Sequence, residues 1–256
     1  IYDDGTGQTY SGAVTGNTPA VSFGTDDDRL LTVNSVTVNE ESNHAVFTFT
    51  GTKGQSVELT LFDDSANGTI DGEANIDELQ VVQFWDGDNW TDYNATSLPA
   101  LVDYTDTNQP NGSLLVRVDI TAEQDTPYEG SETFQLEGEL AGSGPLATGT
   151  GTIVDDGTGS VYNATVTNGT PGSFTGTDDD RPITVNNVTV AEDAGHAVFN
   201  VTGNVGQMVT LQNANGTATA AGDFSSALQY SSDNGSTWQN YTSAVAIPAG
   251  GDLQVR

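Results

Sequence analysis

The side chains of this sequence that could do chemistry are carboxylates at repeated spacing. Thr25-Asp26-Asp27-Asp28-Arg29 returns as Thr177-Asp178-Asp179-Asp180-Arg181, and Asp3-Asp4-Gly5-Thr6-Gly7 returns as Asp155-Asp156-Gly157-Thr158-Gly159, each pair 152 positions apart (177 − 25 and 155 − 3). One offset shared by two separate motifs indicates tandem copies of a single unit, with carboxylates at matching places. Carboxylate oxygens are hard ligands, and Ca²⁺ takes six to eight of them. The competing reading is that these acids are solvated turn residues, because Asp and Gly dominate turns. Gathering several carboxylates without a cation would cost on the order of several kcal/mol in repulsion.

The balance of charge narrows the partners. The chain carries 36 Asp+Glu against 5 Lys+Arg, a formal charge of −31, and Lys53 is its single lysine. No basic footprint for nucleic acid can be assembled, and an anionic membrane surface is disfavoured for the same reason. Divalent cations or a salty medium would have to offset the self-repulsion. With no cysteine, neither disulfides nor thiolate metal sites are available. No stretch approaches the roughly 20 apolar residues of a membrane helix, so direct membrane insertion is not expected, and residue 1 opens no signal peptide; the start reads as a cut from something longer.

The elements that must position these acids read as strands. Ala45, Phe47 and Phe49 alternate with Val46, Thr48 and Thr50, and Val57, Leu59 and Leu61 and then Leu114, Val116, Val118 and Ile120 do the same. Further strands are expected at 32–38, 79–85, 133–140 and 148–154, and in the second copy at 184–190, 197–201 and 207–212. Short strands separated by Gly, Asn and Asp turns, with no convincing helix, predict an all-β chain of tandem antiparallel sandwiches of immunoglobulin-like Greek-key type. The expected organisation is a joint at 1–28 that includes the tail of a preceding repeat, a first sandwich at 29–154, a second joint at 155–180, and a second sandwich at 181–256. Leu114-Leu115-Val116-Arg117 lines up with Leu253-Gln254-Val255-Arg256, so residues 118–152 have no counterpart and the second sandwich is expected to be incomplete. Each joint holds strand formers, Thr9-Tyr10 and Val161-Tyr162, and a strand pair is favoured there over an extended linker.

Val38-Asn39-Glu40-Glu41, the run from Asp125 through Glu129-Gly130-Ser131-Glu132 to Phe134, and Gly149-Thr150-Gly151-Thr152-Ile153-Val154-Asp155-Asp156-Gly157 together resemble the Calx-β domain. The similarity is greatest to the immunoglobulin-like repeats of giant type I-secreted RTX adhesins. In the second copy Val190-Ala191-Glu192-Asp193, the segment Asn215 to Phe224 and Ile247-Pro248-Ala249-Gly250-Gly251 carry it. The resemblance implies a seven-stranded sandwich binding Ca²⁺ at one end, through Glu40, Asp125, Glu129, Glu132, Asp155 and Asp156 in the first copy. In the second it implies Glu192 and Asp223, with Asp77 the position matching Asp223. It also implies a secreted, extracellular or cell-surface protein that folds on meeting calcium.

The Asp trios lie outside that pattern. One member of each is expected to touch a metal, Asp26 or Asp28 in the first and Asp178 or Asp180 in the second, with Asp3, Asp4, Asp155 and Asp156 as partners across a joint. Ion pairs to Arg29 and Arg181, or simple exposure, are the alternatives. Ser231-Ser232-Asp233-Asn234-Gly235-Ser236-Thr237-Trp238 fits an Asp-box and reads as a hairpin. His44 and His196 occupy equivalent positions and read as turn or packing residues. Trp90, Tyr93, Trp238 and Tyr241 read as packing rather than a sugar platform. Asn-x-Ser/Thr sequons such as Asn94-Ala95-Thr96 are expected by chance in so Asn- and Thr-rich a chain.

These readings converge on a non-enzymatic, calcium-binding structural repeat of an adhesin or extracellular filament, its partners being neighbouring repeats and host, surface or matrix ligands. The alternatives are a module that binds carbohydrate or protein, and a self-assembling fibre subunit completed by a neighbouring chain's strands.

Overall fold

The computed structural model describes residues 8–23, 28–63, 81–102, 111–124, 128, 130–141, 144–220 and 222–256. Its described residues fall into two compact units: 8–124, 130–154 and 158–177 in the first, and 128, 155–157 and 178–256 in the second. The first contains β1 (Gln8–Thr15), β2 (Thr18–Phe23), β3 (Thr32–Val33), β4 (Val36–Asn39), β5 (His44–Thr52), β6 (Val57–Asp63), β7 (Val82–Trp85), β8 (Trp90–Asp92), β9 (Asn111–Asp119), β10 (Glu132–Leu140), β11 (Leu146–Val154), β12 (Ser160–Thr167) and β13 (Thr170–Thr175). The second contains β14 (Thr184–Val185), β15 (Phe199–Thr202), β16 (Met208–Val209), β17 (Gln229–Ser231), β18 (Gln239–Asn240), β19 (Val245–Ala246) and β20 (Asp252–Val255). The chain is all-β, with one 3₁₀ turn at Thr121–Glu123 among the described residues.

Two sheets make the first unit a sandwich. One has the order β3-β5-β9-β7-β8 and the other β13-β12-β4-β11-β10-β6. Along β10 the burial alternates at every residue, as a strand with one face in a core must, and it sends Phe134 and Leu136 inward. They meet Phe47, Phe49, Leu114, Val116 and Val118 from the facing sheet in one apolar core. The Phe47 and Phe134 rings pack edge to face, centroids 5.9 Å apart, a geometry worth about 1 kcal/mol beyond the area buried. Gly138 and Gly151 lie against the rings of Phe49 and Phe134, where a Cβ would collide with ring carbons, so the absent side chains are what let these sheets close on aromatics.

The stretch expected as a single strand over 32–38 is two strands in different sheets. At the break, the Asn34 side-chain oxygen accepts the Thr48 N–H at 2.6 Å, replacing a ladder bond while the chain crosses from one sheet to the other. Asn186 repeats the device, accepting the Asn200 N–H at 2.7 Å. After that break only Thr184–Val185 of the expected 184–190 strand is paired, because residues 188–191 have no ladder neighbour among the described residues, whereas β4 lies between β11 and β12. The expected 207–212 strand is likewise reduced to Met208–Val209, paired with β19.

Both joints contain hairpins. β1 pairs with β2 across a turn at Gly16-Asn17, β12 with β13 across Asn168-Gly169, and all four turn residues have positive φ. Such a turn matches the twist of the flanking strands. Each hairpin carries an irregularity at the same place, between Tyr10 and Val14 and between Tyr162 and Val166. The second hairpin joins the first unit's sheet through the Ser160–Val38 pairing.

Within the second unit the larger sheet has the order β14-β15-β20-β17-β18, and Val201, Val209, Ile247, Leu253 and Val255 form its core.

Candidate cation site

Glu40 follows β4 directly. Its N–H donates to the Val154 carbonyl at 3.0 Å, extending the parallel β4–β11 ladder by one bond, and the residue is buried. Asp155 is therefore the next residue along the chain from the one that Glu40 binds. Glu132 is also buried, at the start of β10 opposite Ile153 on the same β11. Asn39 fixes the region from below: its amide donates to the Thr158 carbonyl at 2.9 Å, and its side-chain oxygen accepts the Glu41 N–H. Gly159, at φ +85°, packs so closely on Asn39 that a Cβ would stand 2.6 Å from its nitrogen, and Gly176 lies on the Asn39 side chain. Gly159 closes one of the motifs that repeat at 152, and Gly176 directly precedes the other. Ser42 Oγ accepts the Tyr162 N–H at 3.0 Å, and the Glu41 carboxylate accepts the Thr177 N–H.

In the second unit the two repeated motifs are laced together. Asp155, buried, accepts the Asp180 N–H at 2.9 Å, and Gly157 donates to the Asp178 carbonyl at 2.7 Å. Arg181 grips Asp179 in a two-bond fork, Nε to Oδ1 at 2.8 Å and an outer nitrogen to Oδ2 at 2.6 Å, and donates to the Asp156 carbonyl at 2.7 Å. A planar guanidinium suits this two-point grip. The Asp179 hydrogen bond holds the arginine more firmly protonated than usual. Gln207, also buried, donates to the Arg181 carbonyl at 2.5 Å.

Of the expected ligands, Asp155 and Asp180 come together, Asp156 and Asp178 lie half-buried beside them in the same lacing, and Glu40 and Glu132 are buried in the first unit. Asp28 is exposed. In the second copy Glu192 is exposed, and Asp223 turns its carboxylate onto the Thr219 N–H and hydroxyl at 2.9 and 3.1 Å, closing its own loop. Neither joins a group of three acids among the described residues. Asp3, Asp4, Asp26, Asp77, Asp125 and Glu129 lie outside the described residues. The Asp179–Arg181 pair is the ion pair offered as an alternative for this trio, made by an aspartate that the ligand set omits. An arginine two residues after an aspartate was the available signal, since such a pair can close a fork on itself.

The other singled-out residues serve packing and turns. Arg117 lies over the Trp90 ring at 4.5 Å and Arg256 over Trp238 at 4.2 Å. The Tyr93 hydroxyl accepts the Leu59 N–H at 3.0 Å and that of Tyr241 the Leu211 N–H at 2.9 Å. Asp233 closes its hairpin by accepting from Thr237 N–H and Oγ1 and from Ser231 Oγ at 2.7–2.8 Å, bonds that pull its carboxyl down to about 2. Asp86 does similar work toward Asp88, Asn89 and Thr91, and its carboxyl too is lowered by those bonds. His44 opens β5 opposite Asp119, and burial, helped by the Arg117 charge, pushes it below its ordinary value.

The two acids that meet here, Asp155 and Asp180, offer carboxylate oxygen alone. That chemistry suits Ca²⁺ or Mg²⁺ rather than zinc or copper. No helix of the described residues is long and apolar enough to cross a membrane. Comparison with protein-family models and with curated proteins gives no match.

Proposed function

We propose that the chain is a non-enzymatic, calcium-binding structural repeat of an extracellular or cell-surface adhesin, with Asp155 and Asp180 as Ca²⁺ ligands. The observation that carries the reading is Asp155. A buried carboxylate is costly unless its charge is compensated, and this one stands one residue past the Glu40-bound end of β11 and takes the Asp180 amide. An ion there would draw oxygens from both repeated acidic motifs, from Asp155 in one and Asp180 in the other, and hold them together. Affinity of about 10⁻⁴ to 10⁻³ M suffices for such an extracellular site.

Thermal melting in chelator and in Ca²⁺ tests this. At 100-fold excess over the dissociation constant, binding adds about 2.7 kcal/mol, so the transition should rise by several degrees. Asp155→Asn keeps an acceptor for the Asp180 N–H but loses charge, and should abolish most of the increment. Identical melting in chelator and in 10 mM Ca²⁺ would sink the proposal.

A further inference from the structure

One side-chain network is repeated group for group on a sheet face of each unit. In the first, Arg117 lies between the buried Val116 and Val118 of β9, so it points away from the core. Its Nε donates to the Gln83 side-chain oxygen at 2.7 Å, Gln83 donates to the Asp92 carboxylate at 2.7 Å, and the guanidinium lies 4.5 Å from the centre of the Trp90 ring. In the second, Arg256 donates to Gln229 at 2.9 Å, Gln229 donates to Asn240 at 2.9 Å, and the guanidinium lies over Trp238 at 4.2 Å. The row of residues alongside is not repeated. Leu115, fully buried, is answered by Gln254, and Trp85 by Ser231, so covering an apolar patch is not what the two networks share.

The bonding of these arginines runs against the composition. The chain has five basic side chains among 36 acids, and Arg181 grips Asp179. Arg117 and Arg256 instead give Nε to a neutral amide, make no ion pair among the described residues, and are only half-buried. Their terminal nitrogens donate to no described group. Burial lowers the pKa of Arg117, and the Asp119 and Asp92 charges do not cancel that, which leaves a cation short of counter-charge. The Trp90 Nε1 beside it is buried with no hydrogen-bond partner among the described residues, a second unfilled donor at the same place.

We infer that each of these arginine–tryptophan pairs is a subsite for the carboxylate of an acidic sugar. A planar guanidinium with its terminal N–H groups open takes a carboxylate at two points. Asp92 and Asn240, both exposed, stand next along each row with oxygens that accept from sugar hydroxyls. A doubly charged phosphate is penalised more than a carboxylate beside Asp92. Asn240 in place of Asp92 removes a like charge, so the subsite of the second unit is the tighter one. The inference does not depend on the calcium reading.

The test titrates the full chain with glucuronate in 0.15 M NaCl and follows the arginine Nε–H and tryptophan Nε1–H resonances by ¹H–¹⁵N spectroscopy. Saturable shifts are expected at Arg117, Trp90, Arg256 and Trp238, with none at Arg29 and Arg181. Arg117→Lys and Arg256→Lys keep the charge but lose the fork, so each should weaken its own subsite about tenfold or more and leave the other as an internal control. Asp92→Asn, an exposed change that keeps the Gln83 bond, should tighten the first subsite about threefold, and it serves as the test there if Arg117→Lys disturbs the fold. Absence of saturation, equal shifts with glucose, equal affinity for acetate or N-acetylaspartate, or undiminished binding to both lysine variants would each overturn the inference.

Discussion

The sheet β3-β5-β9-β7-β8 of the first unit and the sheet β14-β15-β20-β17-β18 of the second have the same strand order and repeat their polar anchors bond for bond. Gln55 accepts the Thr52 N–H and donates to the Arg29 carbonyl, and Gln207 does the same with Asn204 and Arg181. Leu101 exchanges backbone bonds with Gly54 and Gln55, and Ile247 with Gly206 and Gln207. Yet β5 has nine residues and β15 four, and the first unit's large aromatic core has a small aliphatic counterpart. These anchors need only residues that both copies contain, Gln55 with Arg29 and Leu101 in the first and Gln207 with Arg181 and Ile247 in the second, so they form in both. Strand length and core size depend on a facing sheet, and the two units differ in that.

This contrast can be broken most sharply in the cores. Phe47→Ala removes a fully buried ring and should cost the first unit about 3–5 kcal/mol, whereas Phe199→Ala, at a half-buried site, should cost well under half as much. Urea unfolding followed by hydrogen exchange, read separately in each unit, checks this; equal losses would mean that the cores are equivalent after all. The anchors should behave oppositely. Gln55→Ala and Gln207→Ala each strand buried backbone groups and should each cost about 1–3 kcal/mol, so unequal losses would break the equivalence of the two sheets. Gly159→Ala combines positive φ with a backbone clash at Asn39 and should cost about 1–3 kcal/mol, seen as faster exchange in β12 and β13 with β5 and β9 unaffected.

The smallest effect concerns the Asp233 hairpin. A carboxyl lowered from 3.8 to about 2 in the fold stabilises the turn fully above the unfolded value, and that contribution is lost as pH falls toward 2. The Thr237 amide resonance should therefore titrate with a midpoint near 2, and a midpoint near 4 would show that the hairpin bonds do not form in solution.

The fold class was legible because the long strands carry one continuous apolar, buried face, Ala45-Phe47-Phe49 and Leu114-Val116-Val118, although Val46 and Leu115 on the opposite faces are buried as well. The break at Asn34 had a signal that the strand expectation did not use: the apolar residue Val33 and the pair Val36 and Val38 fall on opposite phases of the alternation, which shifts at Asn34-Ser35, where the Thr48 bond marks the change of sheet. Asp155 and Asp180 were legible as a pair because both belong to motifs repeated at one offset. Asp223 closes its own loop on Thr219, a contact that sequence spacing alone does not distinguish from a ligand position. An ion pair of this trio to Arg181 was legible as an alternative, but which aspartate makes it was not, because the three look alike in sequence.

One feature of the topology bears on force. β11 and β12 both run parallel to β4, on opposite sides of it, and the chain passes from one to the other through residues 155–159. Tension applied between the start of β4 and the end of β11 pulls two parallel neighbours in opposite directions along their length. The hydrogen bonds Gly151 to Val154 make with this strand are then loaded together, in shear, rather than opened one at a time from an end. A repeat wired this way resists stretching through the same short ladder that leads into the acidic boundary.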